Sequence, residues 1–588
     1  MKNVGMKMKK FNNSDFSIKN VGDVVTLDGW VSKKRDLGGL IFIDLRDRSG
    51  IIQLMIRPDS ECYDIANSLK SEYVIEAEGK ILERENKNPN LKTGEVEVEV
   101  TNLKILNESA DLPFDLNKGS ALEDTRLKYR YLDIRRDEIK SKLITRHKIM
   151  MAIRNFLSND GFIEVETPVL CKSTPEGARD YLVPSRVNHG KFYALPQSPQ
   201  LFKQLLMIGG MEKYFQIAKC FRDEDLRADR QPEFTQVDME MSFVDEDDVM
   251  SFAENLVAHI FKEVAHIDVE LPLMRMKYDD AIKYYGSDKP DLRFDMKIND
   301  ITDIFKDTDF TVFRNVIDNN GVINCLVVKN AASNYSRKDI DKLTDFVKTY
   351  KVSGLAWLKY DDAFTGSIAK ILTDSQSKEL VSKLDISNND LILIVADKYN
   401  IVKQSLGALR LKLGHDLGLI NNDIYKMLWV VDFPSFEWSD EENRYMACHH
   451  PFTAPKDSDI DKLLTDKAHC YSKAYDIVIN GYEAGGGSIR IHDSKVQAKM
   501  FEALGFTLEE AQNKFGFFLE AFKYGCPPHG GLAFGLDRMT MLLTKTENIR
   551  DVIAFPKTAS ATDLMSECPN VVDIKQLDDL GIKIKWFI

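Results

Sequence analysis

Phe221-Arg222-Asp223-Glu224, followed by Gln231-Pro232-Glu233-Phe234-Thr235-Gln236-Val237-Asp238, is the stretch on which the reading of this chain turns. Arg222 and Glu224 are two residues apart, so on a strand they share one face, as a phosphate clamp beside an acceptor for an amino group requires. The polar loop 225–230 then leads into a second strand that carries Phe234. The expectation is a hairpin that grips ATP.

Two further segments are needed to complete such a site. Near the C-terminus, Gly530-Gly531-Leu532-Ala533-Phe534-Gly535-Leu536-Asp537-Arg538-Met539 reads as a strand, a glycine turn and the start of a helix. Arg538 then falls in the first helical turn, where the macrodipole disfavours a cation unless an anion is close. It is therefore a phosphate candidate. Upstream, Gly161-Phe162-Ile163-Glu164-Val165-Glu166-Thr167-Pro168 follows an amphipathic helix whose apolar face is read as Leu143, Met150, Ile153 and Leu157. In this order and spacing the three segments resemble motifs 1, 2 and 3 of the class II aminoacyl-tRNA synthetases.

The groups that would meet a substrate side chain lie in other segments. Glu483-Ala484-Gly485-Gly486-Gly487-Ser488-Ile489-Arg490 sets three glycines between an acid and an arginine. Glycines weaken a strand but let a ligand approach its backbone; a bulge is the alternative reading. Arg490 offers a planar fork to a carboxylate and Lys203 a second cation. Asp238 is placed to hold Lys203 or to counter an ammonium, and His449 of the pair His449-His450 is a further partner. The bound side chain is expected to be anionic. Asparagine would be refused because it leaves Arg490 and Lys203 without a carboxylate.

Arg35-Asp36-Leu37-Gly38, Leu40 to Asp47, Thr174 to Tyr181, Gln197 to Lys203, Tyr285 to Asp291 and Asn480 to Glu483 make the chain similar, over nearly its whole length, to the bacterial-type aspartyl-tRNA synthetases. The resemblance implies that Glu176, Ser198, Gln200, Lys203, Arg222, Asp238, His449 and Arg490 bind aspartate, Glu176 on a loop closing over its amino group. It implies that Arg222, Asp223, Glu224, Gln231, Phe234, Glu483, Gly535, Leu536, Asp537 and Arg538 bind ATP. Phe234 and Arg538 would sandwich the adenine, Arg222 and Arg538 would be catalytic, and Asp476 and Glu483 would hold Mg2+. The implied activity is ATP-dependent formation of aspartyl-adenylate, then transfer to the terminal ribose hydroxyl of tRNA(Asp). Such chemistry needs positioning and charge neutralisation rather than a protein nucleophile.

Residues Val24 to Asn107 read as an OB-fold, with strands Val24 to Ser32, Leu40 to Asp47, Ile51 to Arg57, Val74 to Glu83 and Val96 to Leu106 and a helix near Tyr63 to Lys70. Alternation puts Ile41, Ile43 and Leu45 inward and Phe42 outward with Asp44 and Arg46. An outward phenylalanine is a stacking platform for an unpaired base, and Gln53 beside it can bond a base edge. By resemblance Arg35, Phe42, Gln53 and Glu95 would read the anticodon.

The expected organisation is multidomain. An OB-fold barrel spans 1–107, a linker 108–124, an α+β class II catalytic domain on an antiparallel sheet 125–285 and 417–588, and an inserted α+β domain 286–416. In the insertion, helices are expected over Lys338 to Thr349, Gln376 to Leu384 and Gln404 to Leu417, and strands over Val322 to Val328, Gly354 to Leu358 and Leu391 to Ala396. At 588 residues the chain exceeds one hydrophobic core. Motif 1 implies a homodimer. With no apolar h-region, no membrane-length apolar run and no Cys-x-x-Cys pair among eight cysteines, a cytoplasmic protein with reduced, mostly buried thiols is expected.

The net charge of −13 speaks to solubility; a local field decides RNA binding. Lys33-Lys34-Arg35 reads as a basic loop. Arg126, Lys128, Arg130, Arg135, Arg136, Lys140, Lys142 and Arg146 read as a basic patch or a solvated helix face. The absence of a Walker glycine-lysine loop disfavours P-loop enzymes. Charging of tRNA(Asp) alone, towards which Leu37 leans where related dual-specificity enzymes tend to carry histidine, and charging of tRNA(Asn) as well both stay open. A tRNA-independent aspartate ligase and a non-catalytic tRNA-binding protein are more remote.

Overall fold

A computed structural model of the chain describes residues 11–116, 118, 121–174, 178–226, 229–440 and 442–585. These fall into two compact units, 1–137 and 138–588. In the first unit β1 (Val24–Leu37), β2 (Leu40–Arg46), β3 (Ile51–Ile56), β4 (Val74–Glu83) and β5 (Val96–Asn107) close a barrel in the order β1-β2-β3-β5-β4, with α1 (Tyr63–Ser68) between β3 and β4. Closure leaves no unpaired edge. Ile41, Ile43 and Leu45 point into the barrel core, as their alternation dictates.

Two barrel expectations change. Lys33, Lys34 and Arg35 do not form a loop; they extend β1, where Arg35 pairs with Phe42. Arg46 is not outward. It is buried against Glu72, donating at 2.6 Å, and Arg135 donates to the same carboxylate at 2.7 Å.

The second unit opens with α2 (Asp137–Asn159) and the short β6 (Ile163–Glu164). The buried face of α2 is Ile139, Lys142, Ile149, Ala152, Ile153 and Leu157; Leu143 and Met150 are half-buried instead. Further along come α3 (Gln200–Ile208), β7 (Lys213–Phe221), β8 (Glu233–Ser242), α4 (Glu246–Ala265), β9 (Met274–Lys277) and α5 (Tyr278–Tyr285). The inserted region carries β10 (Asn299–Asp300), β11 (Val322–Val328), β12 (Ala356–Asp361), β13 (Ala363–Gly366), β14 (Asp390–Asp397) and α6 (Tyr399–Asp416). It also has helices at Arg337–Lys348 and Asp374–Leu384, where they were expected, and one at Thr311–Asp318 that was not. The chain then returns through β15 (Met427–Val431), β16 (Ala474–Ile479), β17 (Tyr482–Ile489), β18 (His529–Gly535) and α7 (Leu536–Leu543).

Eight strands form one sheet in the order β9-β15-β16-β17-β18-β8-β7-β6, antiparallel except at its two edges. The insertion has its own five-stranded sheet, β10-β11-β14-β12-β13. Helices α2 and α4 cover one face of the large sheet and share its core through Ile153, Leu157, Val257 and Ile260 with Trp429, Tyr475 and Phe534. The opposite face is left for polar work.

The basic run is not a free patch. Asp133, fully buried, accepts ion pairs from Arg126, Arg130 and Arg136. Lys142 pairs with Asp551 at 3.1 Å and Arg146 with Asp537 at 2.5 Å. With Arg135 on Glu72, six of the eight cations are thus held by carboxylates distant from the run or inside it, which lowers their claim on RNA phosphates.

Candidate active site

Strand parity builds the site. On β8 the residues Phe234, Gln236, Asp238 and Glu240 share a face; on β18 Gly531, Ala533 and Gly535 do; on β17 Gly486 and Ser488 do, with Arg490 just beyond. Cross-strand pairing aligns Asp476, Gly486, Ala533 and Asp238 in one row and Ser488, Gly531 and Glu240 in the next. Glycine is required where the rows carry acids: a Cβ on Gly531 would strike Glu240 and one on Gly486 would strike Asp476.

Glu483 should by alternation face away from Gly486. A bulge prevents this: Val478 opposes Glu483 and Ile477 opposes Gly485, so Ala484 is the extra residue and is buried in the core. The bulge re-aims Glu483 into the same face. Its carboxyl is pushed up by burial and by the neighbouring Asp476.

Two cavities open on this face. The larger, about 440 Å³, is lined by Ser198, Gln200, Lys203, Asp238, His449 and Arg490 among others. The smaller, about 200 Å³, is lined by Glu224, Gln231, Phe234, Gly535, Asp537 and Arg538 among others. Arg222, Gln236, Glu483 and Ala533 line both and form their common wall.

In the larger cavity Arg490 and Lys203 are 2% and 1% exposed. Both are already paired. Arg490 grips Glu240 through Nε at 2.8 Å and Nη2 at 3.1 Å, and its Nη1 donates to Ser488 Oγ at 2.6 Å. Lys203 Nζ donates to Asp238 Oδ1 at 3.1 Å and lies 3.4 Å from Glu240. Glu240 was missed by the sequence reading although it continues the parity of Gln236 and Asp238. Its burial opposes ionisation, but Arg490 and Lys203 hold its carboxyl below the usual range; burial pushes Asp238 up against the pull of Lys203. An asparagine would therefore not leave these cations unpaired, and the discrimination account based on bare cations is corrected.

His450, also missed, accepts from Arg490 Nη1 at Nε2, 3.0 Å away; burial and then Arg490 push its pKa well down. His449 behaves oppositely. Burial would lower it, but Asp476, 3.9 Å away, and Cys448 raise it to about 10. Its ring meets Phe433 edge-on at 4.8 Å.

Several polar atoms around the larger cavity are buried without a hydrogen-bond partner: Gln200 Nε2, Arg222 Nε, Asp238 Oδ2 and His449 Nδ1. Desolvated atoms of this kind call for a polar ligand. Ser198 Oγ accepts from the Gln200 N–H at 3.3 Å.

In the smaller cavity the expected residues divide. Arg222 and Glu224 do not sit on β7, which ends at Phe221; the pair lies just beyond it, where the Arg222 N–H still donates to Pro232 O at 2.9 Å. The Arg222 guanidinium stacks 5.0 Å above the Phe234 ring, and Glu224 accepts from Arg230 at 3.0 Å. Arg538 donates to Glu483 O at 3.1 Å and to Asp229 at 3.3 Å. Gly535 is the N-cap residue of α7, beneath Arg538.

Other expected nucleotide residues serve the frame. Gln231 exchanges two hydrogen bonds with the Lys557 backbone, at 2.8 and 3.0 Å. Asp537 accepts from the Thr235 N–H at 2.8 Å and from Arg146. Leu536 is buried in the sheet core. Asp223 turns to Arg179, 3.5 Å away, and lines neither cavity. Glu176, with Pro175 and Gly177, lies outside the described residues, as do Arg227 and Ala228 of the hairpin loop.

On the barrel, Arg35 holds Asp44 through two bonds of 2.7 and 2.8 Å. Arg35 and Arg84 both donate to Gln53 Oε1, at 3.2 and 2.9 Å, and Gln53 Nε2 donates to Glu97 at 2.6 Å. Phe42 shares that face with Asp44. Glu95 is exposed, 3.6 Å from Lys87.

Residues 122–559 match the family model for class II tRNA synthetases of the D, K and N group, and residues 25–106 match an OB-fold nucleic acid binding domain. An aspartate–tRNA ligase of Macrococcus caseolyticus is 56% identical over 570 residues, covering 96% of both chains. One of Clostridium botulinum is 56% identical over 568 residues, again 96% of both. Among solved structures, an asparaginyl-tRNA synthetase of Pyrococcus horikoshii complexed with asparaginyl-adenylate superposes with a TM-score of 0.60 at 20% identity, covering 94% of this chain and 99% of that one. A likeness at that identity carries the fold alone.

Proposed function

The chain belongs to the class II tRNA synthetases of the aspartate, lysine and asparagine group, and we propose that its two joined cavities hold aspartate in the larger and ATP in the smaller. It is an ATP-dependent aspartate–tRNA ligase that uses aspartate and tRNA as substrates. The observation that carries the site assignment is the common wall: Arg222, with an unpartnered Nε, lines both cavities beside Glu483.

In this reading the aspartate α-carboxylate attacks the α-phosphorus of ATP; the new O–P bond forms as the bond to pyrophosphate breaks. Arg222, held flat on Phe234, neutralises the charge that builds on the α-phosphate, and Arg538 steadies the nucleotide from the start of α7. The tRNA ribose hydroxyl then attacks the adenylate carbonyl, loses its proton, and AMP leaves. Asp476 and Glu483 would hold Mg2+, which neutralises phosphate charge when bound. Two crowded carboxylates, with Glu483 raised by burial and by Asp476, suit a cation that takes one or two carboxylates and completes its shell with phosphates and water.

The same reading includes an anticodon-binding barrel (1–107), a linker (108–124), a catalytic domain (125–285 and 417–588) and an inserted domain (286–416). It includes a homodimer, supported by the exposed apolar side chains Met151, Ile163, Val169 and Leu170 around motif 1. It includes a cytoplasmic location, supported by eight cysteines free of disulfides; among the described residues no helix is long and apolar enough to cross a membrane.

Aspartate-dependent ATP–pyrophosphate exchange tests the common wall. Arg222→Ala is expected to lose roughly 100- to 1000-fold in kcat with folding intact; substantial retained exchange would remove Arg222 from the chemistry. Charging of separate tRNA(Asp) and tRNA(Asn) transcripts tests the finer assignment to tRNA(Asp) alone.

A further inference from the structure

One face of α6, in the inserted region, grips the strap 286–298 that follows α5. Lys403, Gly407 and Arg410 lie on that face, four and three residues apart. Lys403 Nζ donates to Lys283 O at 2.8 Å. Gly407 meets Gly286 backbone to backbone, so that a Cβ on Gly407 would lie 2.7 Å from Gly286 O. Arg410 is 1% exposed, its guanidinium 4.0 Å from the Phe294 ring centroid and 5.0 Å from that of Tyr285. Its Nε donates to Met296 O at 2.5 Å, and its Nη2 to Asp291 O at 2.8 Å and Phe294 O at 2.9 Å.

A buried arginine is a poor device for stability alone, since apolar residues of like volume often serve as well or better. What an arginine adds is orientation: its planar fork fixes three carbonyls of a segment that has no strand or helix ladder of its own. The far side of that strap reaches the active site. Asp288 lines the larger cavity. Asp291, gripped by Arg293 at 2.7 and 3.0 Å, packs against Gly481, where a Cβ would lie 3.0 Å from the Asp291 Cβ. Gly481 stands two residues before Glu483. The strap is therefore pinned to the insertion on one side and to the catalytic sheet on the other.

We infer that Arg410 is a positioning residue for aspartate activation, holding the strap so that the Asp288 carboxylate faces the α-ammonium of bound aspartate. The inference rests on the assignment of aspartate to the larger cavity, which the Arg222→Ala exchange measurement tests separately. The insertion thereby takes part in substrate binding without touching substrate.

The test is a double-mutant cycle in the full chain, reading KM for aspartate and kcat in pyrophosphate exchange, with thermal unfolding alongside. Asp288→Asn, in a half-exposed loop residue, and Arg410→Lys, which keeps the charge but loses the fork, are each expected to raise KM about tenfold, with kcat changed less than about twofold. The double variant is expected to be no worse than either single one, because both act through one contact. Arg410→Lys that lowers the melting temperature and leaves KM unchanged would reduce the residue to a structural role. Multiplying effects, or an Asp288→Asn protein with unaltered KM, would also overturn the inference.

Discussion

The outward face of the barrel and the floor of the catalytic cavity both set arginines against carboxylates and amides, yet they differ in how many of their hydrogen bonds are already made. On the barrel, both ends of the Gln53 amide are engaged, by Arg35 and Arg84 on the oxygen and Glu97 on the nitrogen. In the cavity, Gln200, Arg222, Asp238 and His449 each keep a buried polar atom without a partner. A surface that receives an unstacked base can be rigid and satisfied, because stacking supplies much of the binding. On the proposed assignment, a pocket for a small zwitterion keeps its bonding capacity for the ligand, beside a fully paired core of Arg490, Lys203 and Glu240.

The largest effect of that contrast falls on the paired core. Glu240→Ala leaves two buried cations short of a carboxylate, at a cost of about 4 kcal/mol, and aspartate-dependent exchange is expected to fall roughly a thousandfold. Tryptophan-monitored unfolding and exchange, measured together, would separate lost folding from lost binding; near-normal exchange would break the comparison. A smaller effect belongs to the barrel. Gln53→Ala is expected to lower kcat/KM for tRNA about tenfold and leave exchange without tRNA untouched, because its bonds all close within the barrel.

The smallest and most diagnostic effect is in pH. His449 has its pKa raised to about 10, so the imidazole stays protonated through the neutral range, and any contribution of that charge to binding aspartate is present below the raised pKa and lost as pH climbs through it. KM for aspartate is expected to be flat from about pH 6 to 9 and to rise near pH 10. A rise already near pH 7 would show an ordinary histidine.

The comparison also explains what could be seen in the sequence. The barrel was legible because its strands alternate cleanly and its pairs are close in sequence: Ile41, Ile43 and Leu45 could be placed inward from spacing alone. The C-terminal segment was legible as strand, turn and helix, and β8, β18 and α7 lie where they were expected, whereas the strand before the hairpin loop stops at Phe221, short of Arg222 and Glu224. Glu240 escaped although its parity with Asp238 was there to be followed. The fate of Lys142 and Arg146 could not be read locally, because their partners Asp551 and Asp537 lie 409 and 391 residues away along the chain. The short strands β10 and β13 were missed because two to four residues carry too little pattern.

Ala484 shows what such a site asks of chain length rather than chain chemistry. Exchanging the side chain at that fully buried position would cost packing but leave the register of the strand intact. Deleting the residue is a different event, because an alternating strand keeps count: either Glu483 leaves the site or Gly486, Ser488 and Arg490 do. A single in-frame deletion there would take either the acid or the cation out of the site while altering neither residue, so the length of this hairpin is as much a part of the site as its side chains.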